Sequence, residues 1–231
     1  MIGAMNLGQV ILAWNIARRE AGLSTLTYSA NLSRYAVKCL QPWAKNPASD
    51  PEAVPNNYES VLVIMSPAAG WTPTMVAQGL LGAPYHRGII LDPAVSRIGI
   101  AEVCSGKACI VQAEFSGPPP KKEPPFVLWI PPTVPGSWQD YEYPSPFGLS
   151  VGATVGYPLS VFTDSLCQVR GAEITQGKTR IPTYLSESNF DGTVLVIAPK
   201  SPLPAGKYTL SFWWEPTSGK PRHVSKPFVV H

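Results

Sequence analysis

The sequence predicts an α+β domain over residues 1–116 and an all-β sandwich over residues 126–231, joined by a proline-rich linker at 117–125. Three observations carry this. Apolar residues in the first part recur at helical spacing and end in a two-stranded hairpin. The stretch from Gly117 to Pro135 then holds eight prolines in 19 residues, too many for a helix or a central strand. Beyond it helical periodicity is absent, and short β-rich runs alternate with turn signals.

Leu7, Val10, Ile11 and Trp14 repeat at i, i+3, i+4, i+7, the stripe of an amphipathic helix that Asn6 can cap and Gly22 ends. Ser29 or Asn31 opens a second helix with the stripe Leu32, Tyr35, Ala36, Cys39 and Leu40, and Pro42 is expected to stop it. Residues 42–57 read as a surface loop. Glu59 opens the apolar run Val61–Met65. Thr72 and Pro73 stand in the favoured cap-then-proline order for a third helix. A helix-like run then leads into Pro84-Tyr85-His86-Arg87, and Leu91-Asp92-Pro93 turns the chain into strands near 97–104 and 109–115.

In the second half, runs at 157–162, 167–170, 172–175, 193–197, 207–214 and 227–230 predict six or seven strands in about 105 residues, the density of a β-sandwich. Trp213 and Trp214 occupy adjacent strand positions, so one indole faces outward. Such an indole marks a carbohydrate or protein contact, or packs at a domain interface.

Hydrophobic residues make up 45% of the 231-residue chain and charged residues 14%, low against the usual quarter or so. A dispersed net charge of +3 does not point to nucleic acid. No run approaches the roughly 18 apolar residues of a membrane span. The N-terminus has no cationic segment and no clear cleavage site, and reads as the start of a mature region. Low charge, 26 prolines, 19 glycines and seven tryptophans resemble an extracytoplasmic protein.

Of four cysteines, Cys104 and Cys109 bracket Ser-Gly-Lys-Ala between the two strand-like runs. Opposed residues of a hairpin lie within disulfide range, so a bridge is expected, and with it an oxidising compartment. Free hairpin thiols or a metal are the alternatives, though no second ligand pair is nearby. The pairing of Cys39 and Cys167 is not readable.

The first half resembles the CAP superfamily (cysteine-rich secretory proteins, antigen 5 and plant pathogenesis-related proteins) in its bacterial form. The matching residues are Asn15, Arg18, Gly22, Leu23 and Leu26, then Leu32 and Ala36, then Pro84-Tyr85-His86-Arg87, Leu91-Asp92-Pro93 and Ile98-Gly99, in order over about residues 5–116. The resemblance implies an α-β-α sandwich for this part. The second half looks like the Ig-like sandwich that follows some bacterial CAP domains, notably at Gly156-Tyr157-Pro158. Family members often hold a divalent metal between two histidines and two acids in a cleft. His86 matches one histidine and Glu59 one glutamate. No histidine lies between Gln41 and Tyr58, however, and residues 77–85 contain no acid. Two ligands do not make a tight zinc site, so no cofactor is expected, and His86 is the single metal-ligand candidate.

The cleft candidates are Tyr58, Glu59, Tyr85, His86 and Arg87. His86 can shuttle a proton or hold its loop; Arg87 reads as a buried ion-pair or carbonyl-binding arginine. No nucleophile elbow, zinc-protease helix or phosphate-cradling glycine loop occurs. The sequence therefore leans away from an enzyme. It points to an extracytoplasmic binding or scaffold protein for a protein, lipid or cell-envelope ligand. The alternative is a hydrolase with His86 as general base and Glu59 as its orienting acid, with or without a metal.

Overall fold

The structure, a computed structural model, describes residues 5–47, 59–65, 70–105, 108–118, 126–141, 145–163, 167–188, 194–216 and 220–231. The chain divides into two compact units, Met1–Pro124 and Pro125–His231. Among the described residues no helix is long and apolar enough to cross a membrane.

The first unit contains α1 (Leu7–Glu20), β1 (Thr27–Tyr28), α2 (Ala30–Lys45), β2 (Glu59–Met65), α3 (Pro73–Gly82), α4 (Pro84–Ile90), β3 (Arg97–Ser105) and β4 (Ala108–Ser116). The sheet order is β1-β3-β4-β2; β1 runs parallel to β3 and the other pairs are antiparallel. Strand alternation sorts the core into two layers. On one face Phe115 of β4 meets Trp14 of α1, with ring centroids 6.0 Å apart. On the other, Ile110 packs with Leu40 and Trp43 of α2. The sheet therefore lies between α2 and the α1, α3, α4 group, an α-β-α sandwich.

Local chemistry sets the helix ends. The Ser29 hydroxyl accepts from Leu32 N–H at 3.4 Å and the Thr72 hydroxyl from Met75 N–H at 3.2 Å. Asn6 flanks α1 without a side-chain cap. Gly22, at φ 80°, supplies the left-handed residue past the end of α1.

Pro42 does not stop α2, contrary to expectation: the helix runs on to Lys45. Only the last turn lies beyond the proline, so little helix is disturbed. Trp43, buried at 3% exposure beside Leu40 and Ile110, holds that turn on the sheet. Gly99 fixes how closely α2 approaches, since a Cβ there would lie 2.1 Å from the Ser33 nitrogen.

The second unit is all β: β5 (Phe126–Trp129), β6 (Trp138–Asp140), β7 (Ala153–Val155), β8 (Leu159–Thr163), β9 (Cys167–Gln176), β10 (Thr179–Ile181), β11 (Thr183–Ser188), β12 (Val194–Pro199), β13 (Gly206–Pro216) and β14 (Arg222–Val230). Two four-stranded sheets, β10-β9-β13-β14 and β11-β12-β8-β5, share one apolar core. Leu159, Val161, Leu195 and Ile197 enter it from one sheet, and Ile174, Leu210, Phe212 and Trp214 from the other. This is a sandwich with more strands than the sequence predicts. Runs 167–170 and 172–175 form one strand, while β6, β7 and β10 are only three residues each.

Candidate functional site

Pro84 creates the site's local geometry. A residue before proline is pushed out of the helical region, and Ala83 is extended at φ −85°, ψ 117°. The helical run after Thr72 therefore breaks, and α4 starts afresh with Pro84 at its first position. Pro84, Arg87 and Ile90 form the buried face of α4, which leaves Tyr85 and His86 half-buried beside it.

His86 Nδ1 is buried with no hydrogen-bond partner among the described residues. Burial pushes the imidazole pKa below its ordinary value, so the ring is neutral at physiological pH. Arg87 is fully buried and not exposed to a solvent-borne substrate. β2 packs against both α3 and α4, and its first residue, Glu59, pairs with Phe115 of β4 along the backbone. The side chain of Glu59 and the whole of Tyr58 lie outside the described residues. Tyr85, His86 and Arg87 are thus gathered on one short helix, with the Glu59 strand packed alongside.

What holds α4 in place is Arg18, whose role has no signature in the sequence. Its side chain is fully buried. Nε donates to the Ser24 carbonyl at 2.8 Å, Nη1 to Ile90 and Asp92 at 2.9 Å each, and Nη2 to Val95 at 3.1 Å. One guanidinium from α1 thereby fastens both its own following loop and the turn that ends α4. Asn15, one helical turn earlier, holds Leu26 at both backbone groups: Nδ2 donates to its carbonyl at 3.1 Å, and Oδ1 accepts from its N–H at 2.7 Å. The Asp92 carboxylate accepts from Ala94 N–H at 2.6 Å and shapes the same turn. Arg18 and Asp92 therefore position the end of α4, while Asn15 fixes the loop that follows α1.

The expected bridge between Cys104 and Cys109 is present, with Cα atoms 4.0 Å apart at directly opposed positions of β3 and β4. The Glu102 carboxylate lies within 4.8 Å of both sulfurs, but disulfide sulfurs offer no thiolate to a metal. Cys39 is free and buried, and burial raises its pKa, leaving an unreactive thiol. Under α2, Gln112 donates to the buried Glu114 carboxylate at 2.5 Å. An open apolar depression of about 430 Å³, lined by Leu7, Gly8, Ile11, Tyr28 and Ile100, lies between α1 and the β1 edge. Neither of these last two features is apparent in the sequence.

Residues 12–112 match the family model described as "CAP: Cysteine-rich secretory protein family". The sequence matches no curated protein. Among solved structures, the chain is similar to a hookworm platelet inhibitor at 13% identity and a TM-score of 0.38, covering 51% of this chain and 70% of that one. It is also similar to an outer surface protein from Borrelia burgdorferi at 13% identity and a TM-score of 0.37, covering 46% of this chain and 87% of that one.

Proposed function

We propose that the CAP domain of this chain, residues 12–112, is a non-enzymatic binding or scaffold module whose α4 face recognises a protein, lipid or cell-envelope ligand. The observation that carries this is His86 Nδ1, buried and without a hydrogen-bond partner among the described residues. A catalytic imidazole needs one nitrogen held by an acceptor, so that the other is aimed at its substrate in a fixed tautomer. Among the described residues His86 has no such anchor, and its ring then serves as a half-buried contact surface beside Tyr85. No cofactor enters this reading. The domain works outside the cytoplasm, where the Cys104–Cys109 bridge persists. The second unit is an Ig-like sandwich that acts as a further module of the same extracytoplasmic protein.

A second reading has one observation in its favour: burial keeps His86 in its basic form at neutral pH, as a general base or metal ligand requires. In that reading Glu59 orients the imidazole, and the pair hydrolyses a substrate with or without a divalent metal. Calorimetric titration of zinc and magnesium into wild type and His86→Ala separates the recognition module from the metal-assisted form of the second reading. The absence of micromolar binding in either protein supports the recognition module. Micromolar binding that disappears in His86→Ala overturns it in favour of a metal-assisted hydrolase.

A further inference from the structure

We propose that the outer face of the second unit, at Trp213, binds the pyranose ring of a β-linked oligosaccharide stacked on the indole. β13 alternates strictly at this point. Phe212 and Trp214 point into the core, at 0% and 1% exposure, while Trp213 points out at 36%. Its two cross-strand neighbours differ in kind. On β14 the paired residue is His223, whose imidazole stacks on the indole with centroids 4.7 Å apart and planes inclined by 18°. On β9 the paired residue is Gly171. A Cβ there would touch indole Cε3 at 3.6 Å, and none exists. The indole is therefore backed by a ring on the β14 side, and on the β9 side it lies beside a residue with no side chain.

The surrounding groups favour a sugar. A pyranose with equatorial substituents offers a flat face of C–H bonds, whose slight positive charge suits the negative face of an indole. Its rim of hydroxyls needs donors and acceptors together. Two residues along the same face, the exposed Ser225 offers a hydroxyl 3.1 Å from that of Ser211; Ser211 itself is buried, with Glu173 opposite it on β9. A β-bulge beside Trp213 leaves Arg170 out of the ladder, and its Nε donates to Glu215 at 2.8 Å. A cationic ligand fits poorly, because both carboxylates have cations beside them: Arg170 at Glu215, and Arg180 at 3.9 Å from Glu173.

The test is isothermal calorimetry of cellohexaose and chitohexaose against the full chain, with choline as the cationic control. Trp213→Ala removes the platform. Gly171→Val instead fills the β9 side with a strand-favouring side chain and leaves the indole in place. Binding of at least one hexasaccharide is expected, weakened by about tenfold or more in each variant, the scale of a lost aromatic stacking contact. Trp213→Phe should retain part of the affinity. Comparing the two hexasaccharides shows whether the N-acetyl groups contribute. Near-ultraviolet circular dichroism confirms that each variant is folded. No binding of either hexasaccharide at millimolar concentration overturns the proposal. So does affinity that Gly171→Val leaves unchanged, or choline binding that Trp213→Ala abolishes while neither sugar binds.

Discussion

Arg18 Nη1 donates to the Ile90 carbonyl at 2.9 Å, joining α1 to the end of α4 across 72 residues. α4 has only seven residues, far too few to be stable by itself. Its C-terminal carbonyl and the turn beyond it are satisfied by this one buried guanidinium. Arg18→Ala is expected to cost about 3–5 kcal/mol, because it leaves several buried carbonyls without a donor. Arg18→Lys should recover only a small part, since an ammonium cannot reach four acceptors with the spread of a planar fork. Urea unfolding of the two variants measures both effects. A loss under about 1 kcal/mol in Arg18→Ala would show that water replaces the guanidinium.

Gly99→Ala tests the close approach of α2 to the sheet. The new methyl would lie 2.1 Å from the Ser33 nitrogen and 2.3 Å from the Leu32 carbonyl carbon. These are backbone atoms that no rotamer change can move. The helix must shift, and the bond from Ile100 N–H to the Ser33 hydroxyl at 3.0 Å goes with it. A loss of about 3 kcal/mol or more is expected, at the upper end for overpacked cores, read as a lowered melting temperature.

Much of this was legible in the sequence, and the parts that were not share a cause. The stripe through Val10 and Trp14 and the cap-proline pair at Thr72-Pro73 are local signals, and they specify α1 and α3. The cysteine spacing likewise specifies the β3–β4 hairpin. α4 is too short to carry a periodicity, and β1 has only two residues. Pro42 reads as a stop because the packing of Trp43 against Ile110, 67 positions later, is invisible along the chain. His86 stands out as the only histidine before the last nine residues. That its Nδ1 has no partner among the described residues is a property of packing. Arg18 is recognisable as part of a motif, but its acceptors are backbone carbonyls of residues 24, 90, 92 and 95, which leave no side-chain signature.

The Cys104–Cys109 bridge closes a short loop, since its cysteines are five residues apart. Chain-entropy reasoning gives such a loop about 2 kcal/mol of stabilisation. The double variant Cys104→Ser, Cys109→Ser should therefore melt several degrees below wild type. A reducing agent should lower wild type to the same point and leave the variant unchanged. Equal melting temperatures for wild type and variant without reductant would mean that the β3–β4 ladder alone restrains the hairpin.

His86 should make stability depend on pH over a defined window. Burial holds its folded pKa below the ordinary value of 6.5. Above 6.5 the ring is neutral in both folded and unfolded chains, and it contributes no pH dependence. As pH falls through 6.5 the unfolded chain takes up the proton first, so stability declines until the folded pKa is reached and is level below it. One site can contribute a slope of at most about 1.4 kcal/mol per pH unit. His86→Phe keeps an aromatic ring but cannot titrate. Between pH 7 and pH 5 the urea midpoint of wild type should fall more steeply than that of the variant. His223 and His231 are common to both proteins, so the difference between the profiles isolates His86. Parallel profiles would mean that the imidazole is hydrated in solution, with water as a partner of its Nδ1.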